Sequence, residues 1–208
     1  MIKKILWITV LGSNLINATE IVNKESNTTQ VPTSTKNSGF YTGLSMGLLN
    51  WGGEVILNDG TTSKTFDVKT KDKPIMLKLG YVTESENRVE VYYKSDSIDV
   101  KENSTFNLYD TSTFGIDYQW GLSSLSTNEM LPYIRVGIGV GSAKIENASA
   151  DLNAVDVDLG IGIHYQVATS TDISAGLYRR VVGISSDNSD ATILSAMNGV
   201  EMGINYHF

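Results

Sequence analysis

From Val155 to Tyr165 the chain alternates without interruption: Val155, Val157, Leu159, Ile161, Ile163 and Tyr165 on one face, Asp156, Asp158, Gly160, Gly162 and His164 on the other. A period of two means an extended strand whose faces meet different media. Seven more segments of about ten residues repeat the pattern between turn-rich breaks. Their apolar sets are Phe40, Thr42, Leu44, Met46 and Leu48; Ile75, Leu77, Leu79 and Tyr81; Val89, Val91 and Tyr93; and Phe114, Ile116, Tyr118 and Trp120. Ile134, Val136, Ile138 and Val140 follow, then, beyond the Val155 segment, Ile173, Ala175, Leu177 and Val181, with Arg179 on the same face. The last strand runs from Val200 to Phe208 and places Met202, Ile204, Tyr206 and Phe208 outward.

No stretch after the leader contains 18 consecutive apolar residues, so helices do not cross a membrane here. The fold expected is all-β: an eight-stranded antiparallel up-and-down transmembrane β-barrel spanning 38–208. Breaks near 52–72, 95–105, 145–153 and 183–192 are long, and those near 83–87 and 168–172 are short. That asymmetry puts long loops outside the cell and turns in the periplasm; the 123–130 connection is an exception to it. Phe40, Tyr81, Tyr118, Trp120 and Tyr165 then form a periplasmic aromatic girdle, where amphipathic rings favour the lipid boundary.

Ahead of the barrel, Lys3 and Lys4 precede the apolar stretch Ile5 to Leu11, and Asn17-Ala18 offers a cleavage end, so 1–18 reads as a signal peptide. Residues 19–37, rich in Ser, Thr and Asn, form a flexible polar lead-in that cannot bury enough surface to order itself. Losing Lys3 and Lys4 with the leader takes the formal charge from −7 to −9, which argues against nucleic acid as a partner. There is no cysteine, hence no disulfide and no thiolate metal site.

The inward face carries the chemistry. Glycines at 43, 47, 80, 115, 121, 137, 139, 141, 160, 162, 176 and 203 imply a narrow lumen that side chains fill. Lys78, Arg88, Lys94, Arg135 and Arg180 share that face with Glu90, Asp117, Asp156, Asp158 and Glu201. Five cations meeting five anions read as an interior ion-pair network, with Arg180 between Asp158 and Glu201, Arg135 near Asp117 and Lys78 near Glu90. A pore opened by Arg180 exchanging partners is the first alternative to a filled lumen. His164 and His207 also point inward, but Gln166 stands where a lipid-deacylase His-x-Ser pattern needs serine, and no third metal ligand is spaced to join them. Catalysis on outer-membrane lipid is a second alternative, and a secreted lipocalin-like binder, which needs an apolar lumen, a third. No cofactor and no metal is implied.

Gly39-Phe-Tyr-Thr-Gly-Leu-Ser-Met-Gly, Tyr133-Ile-Arg-Val-Gly-Ile-Gly-Val-Gly and the terminal Val200-Glu-Met-Gly-Ile-Asn-Tyr-His-Phe together resemble small outer-membrane β-barrel proteins of the OmpA/OmpX-like family. The resemblance implies that Met202, Ile204, Tyr206 and Phe208 are read by the barrel-assembly machinery. It also implies that outer-membrane lipid surrounds the wall, and that the role is structural or adhesion-type, with a host or surface ligand at the extracellular loops. Ending at Phe208, the chain is expected to lack the peptidoglycan-binding domain of larger members.

Overall fold

The computed structural model describes residues 38–58, 63–70, 73–100, 109–127, 129–145, 151–185 and 192–208. The stretches expected to be signal peptide and lead-in, 1–18 and 19–37, lie outside the described residues. The strands are β1 Gly39–Asn58, β2 Ser63–Thr70, β3 Ile75–Val82, β4 Arg88–Val100 and β5 Tyr109–Gly121. After them come β6 Met130–Ile145, β7 Asp151–Ala168, β8 Thr171–Ser185 and β9 Thr192–His207.

All neighbours are antiparallel, and β1 pairs with β9 to close the sheet. Nine strands make eight staves because β2 and β3 share one: β1 pairs with β3 from Gly39 to Met46 and with β2 from Glu54 to Asn58. Between those ladders the Gly47 N–H donates to the Pro74 carbonyl at 2.8 Å. Opposite this break β1 carries two register shifts, at Gly47/Leu49 and Trp51/Gly53. A bulge inserts one residue and flips the facing of everything beyond it. Leu48, expected outward, is therefore the bulged residue, and Leu49, at 65 % exposure, takes the outward place.

The strands extend further at the loop end than the apolar alternation indicates. Much of the expected loop 52–72 is strand, β4 continues through Ser95 to Val100, and β9 begins at Thr192 rather than Val200. The reason is a reversal of polarity along the staves. Below, lipid-facing positions are apolar and inward ones polar; above, Asn153 and Ser185 face out while Leu152, Ala154, Val182 and Ile184 face in. With Val55, Ala143 and Met197 these form an apolar cluster inside the barrel. Strands standing clear of a membrane bury apolar groups inward, as any water-soluble sheet does.

Register partners followed once round the barrel run Phe40, Tyr81, Val89, Tyr118, Val136, Leu159, Arg179, Asn198 and back to β1 at Trp51, eleven residues beyond the start. Such a stagger accompanies strands tilted strongly to the barrel axis. Residues in register are therefore not at equal height.

Turns between β3 and β4, β5 and β6, and β7 and β8, with the ends of β1 and β9, form one rim, here the turn rim; the other is the loop rim. The long β5–β6 turn holds a single 3-10 turn, Ser123–Leu125, closed by Leu125 N–H to the Leu122 carbonyl at 2.9 Å. Thr127 then accepts the Met130 N–H on its hydroxyl at 3.1 Å, so the extra residues are spent on local hydrogen bonds. In the β3–β4 turn Glu86 adopts φ 64°, a left-handed conformation uncommon outside glycine.

Candidate functional site

Inside the wall, large side chains stand opposite glycines. Tyr41 faces Gly80, Tyr92 faces Gly115, Asp117 faces Gly137, Arg135 faces Gly160 and Tyr133 faces Gly162. A Cβ at Gly137 would run into the Asp117 carboxylate, and one at Gly115 into the Tyr92 ring and the Ile138 carbonyl. Volume is thus conserved across each pair, and the lumen is packed rather than open.

At the turn rim Asp172 is the hub. Arg88 Nη2 donates to its Oδ2 at 2.9 Å and Asn205 Nδ2 to its Oδ1 at 2.7 Å; His207 Nε2 stands 2.6 Å away and His164 Nδ1 3.3 Å. His164 Nε2 meets Gln119 Oε1 at 2.8 Å, so the imidazole that an aspartate orients reaches an amide and no nucleophile. A shallow cup over this hub is lined by Glu86, Arg88, Glu129, His164, Asp172 and His207. Among the described residues no three histidines or carboxylates converge as metal ligands.

Deeper, Glu90 pairs with Lys78 at 3.5 Å and accepts a hydrogen bond from Tyr41. Arg135 lies between Glu201, to which it donates, and Asp117, 3.8 Å from its Nε. Toward the loop rim Asp156 accepts from Tyr92 at 3.0 Å, Thr113 at 3.1 Å, Arg180 Nε at 3.2 Å and Lys94 at 3.4 Å. Arg180 Nη1 binds Asp96 at 2.7 Å, and Lys94 also pairs with Asp158. All these groups are buried, and above them lies the apolar cluster. Partnering is what makes such burial tolerable.

The structure brings together Lys78 with Glu90 and Arg135 with Asp117. It gives Arg180 other partners than Asp158 and Glu201. Asp158 is in register with Arg180, yet Lys94 reaches it from across the lumen, while Glu201 is held by Arg135. Long side chains on tilted strands find partners diagonally and across the barrel, which counting along each strand does not reveal. Asp96 and Asp172 were missed altogether, so seven buried carboxylates, not five, face the five Lys and Arg among the described residues. Carrying the parity two residues past Lys94, and down β8 from Ser174, would have found both. Tyr41, Tyr92, Gln119 and Asn205 complete the buried network.

On the outer wall the aromatics cluster at the turn rim, with ring centroids of Phe40 and Tyr81 5.0 Å apart, Tyr118 and Trp120 4.6 Å, and Tyr206 and Phe208 5.6 Å. The Tyr165 hydroxyl donates to Glu129 at 2.9 Å. Met202, Ile204, Tyr206 and Phe208 are all exposed outward. Among the described residues no helix is long and apolar enough to cross a membrane, which says nothing of a barrel.

A family model described as an outer membrane protein beta-barrel domain matches residues 26–208. Neisserial surface protein A has a similar structure, with TM-score 0.52 and 14% identity over 82% of this chain and 98% of that one. The outer membrane protein AlkL, solved in lipid bilayers, gives 0.51 and 15% over 88% and 97%. At such identity the likeness is one of fold. No curated protein matches the chain.

Proposed function

Because this chain belongs to the outer membrane protein beta-barrel family, we propose that it acts in the bacterial outer membrane as a closed, non-enzymatic barrel displaying its loop rim to surface partners. The observation that carries this reading is the filled lumen. Three tiers of buried ion pairs run from Asp172 to Asp96, and the apolar cluster of Val55, Ala143, Leu152, Val182, Ile184 and Met197 lies above them. A solute path would have to break buried charge pairs and part an apolar layer, each costing several kcal/mol. Function then belongs to the outer wall and the loop ends. Strands that continue above the lipid and pack inward make a stiff support for those loops. In this reading Phe40, Tyr81, Tyr118, Trp120 and Tyr165 anchor the turn rim in the periplasmic leaflet. The outward set Met202, Ile204, Tyr206 and Phe208 presents the last strand to the assembly machinery.

Planar-bilayer recording and a cell-surface binding assay test the proposal together. The parent is expected to give no stepwise conductance, and shortening of 101–108 or 146–150 to abolish surface binding while heat-modifiable gel migration persists. Steady single-channel currents from the parent would overturn the closed-barrel reading.

A further inference from the structure

The sequence contains four arginines, and three of them, Arg88, Arg135 and Arg180, are buried in the lumen. Arg179 instead faces outward from the middle of β8, exposed. Its outward neighbours on the same strand are Leu177 and Val181, and its register partners are Leu159 on β7 and Asn198 on β9. The outward positions one step along the neighbouring strands are Val157 and Ile161 on β7 and Ala196 and Val200 on β9, so a permanent cation sits in an apolar wall. Among the described residues no carboxylate lies within ion-pair distance of it. Its contact is Nη1 donating to Asn198 Oδ1 at 3.5 Å, which leaves most of the five guanidinium N–H donors open.

Depth gives this position its meaning. Arg179 lies six residues above Ile173, the first lipid-facing position of β8. A rise of ~3.4 Å per residue and a tilt of ~40° put it about 16 Å up an apolar band about 25 Å tall. That leaves its backbone about 9 Å below the loop-side boundary, a depth at which an unpaired arginine is costly unless its stem lies on apolar surface while its head rises toward polar groups. Val181, the next outward residue toward the loop rim, supplies that surface, and the long side chain carries the head toward the loop-side headgroups. There the anion on offer is phosphate, whose geometry a guanidinium matches with two parallel hydrogen bonds.

We propose that Arg179, steadied by Asn198, forms a binding site on the outer wall for the phosphate group of a net-anionic lipid in the loop-side leaflet, one whose phosphate no headgroup cation neutralises. Lysine there would offer charge and single hydrogen bonds without the planar fork, and glutamine hydrogen bonds without charge; arginine offers charge and the paired donors at a depth that only a long side chain spans. The site is lateral and independent of the lumen, so a lipid held there fixes the height and rotation of the barrel against its surroundings.

The full chain refolded into phosphatidylcholine vesicles, and into phosphatidylcholine mixed with phosphatidylglycerol, tests this by urea titration. Acidic loops repel anionic lipid in parent and variant alike, so the comparison is between proteins within each vesicle type. Relative to Arg179→Leu, the parent should gain about fivefold in its folded-to-unfolded ratio on moving to the anionic mixture, the effect of one basic group at an anionic surface. Arg179→Lys, which keeps the charge, should retain part of that gain. Equal responses of parent and Arg179→Leu, or complete loss in Arg179→Lys, would overturn the proposal. So would a cross-linked dimer through the β8–β9 face that Arg179→Leu abolishes, since the partner would then be a second copy of the chain.

Discussion

Replacing Arg135 by methionine keeps most of the aliphatic stem but removes the cation between Glu201 and Asp117. At 3.8 Å and an effective dielectric of ~20, one such pair is worth about 4 kcal/mol of Coulomb attraction. Two carboxylates lose that attraction at once, against which stands the desolvation cost that the guanidinium no longer bears. The net expected loss is about 3–5 kcal/mol, the usual cost of stranding buried charge. The triple variant Arg135→Met, Glu201→Gln, Asp117→Asn strands none, and it should return to within about 1 kcal/mol of the parent. Urea titration in lipid vesicles, followed by heat-modifiable migration and tryptophan fluorescence, reads both. The argument fails if Arg135→Met costs less than about 1 kcal/mol, or if neutralising its two partners recovers nothing. In either case the lumen would be wet enough to screen the charges, and the filled-lumen reading of function would lose its support.

The glycine pairing predicts a contrast within one residue type: Gly162→Ala, whose methyl would meet the Ala175 carbonyl and the Tyr133 ring, should cost about 1–3 kcal/mol, while Gly39→Ala, with its nearest atom at 4.0 Å, should be silent in the same titration. Ile184→Ala should cost about 2–4 kcal/mol by opening a cavity in the apolar layer, and planar bilayers should still show no stepwise current, because the ion-pair tiers below remain. In the β3–β4 turn, Glu86→Val should cost about 1–2 kcal/mol, since a β-branched residue resists the left-handed backbone at φ 64°; an unchanged urea midpoint would count against that strain.

Much of the lumen's composition was readable because strand parity is a local property. Once Val155 to Tyr165 alternates, Asp156 and Asp158 must face in whatever the rest of the chain does. Parity failed where the local rule was interrupted: at Leu48, displaced by a bulge, and above the membrane, where inward apolar residues such as Val182 and Ile184 invert the pattern. Asp96 was lost for the same reason, since the β4 segment that carries it looks like a polar loop when judged by outward hydrophobicity. Arg179, visible as an anomaly in the alternation, acquired a role only when its height and its Asn198 neighbour were known.

By itself the sequence determined the all-β class, the transmembrane barrel, the face of most residues and the identity of the buried cations, because these depend on period and composition along a strand. Only the tertiary structure decided who pairs with whom. Closure through β1 and β9 and the eleven-residue stagger place Lys94 beside Asp158 and Arg180 beside Asp96, contacts across a lumen between residues far apart in the chain, while Asp172 gathers His164 and His207 from the two strands beside its own. Tilt and closure belong to the whole sheet, so no single segment encodes them.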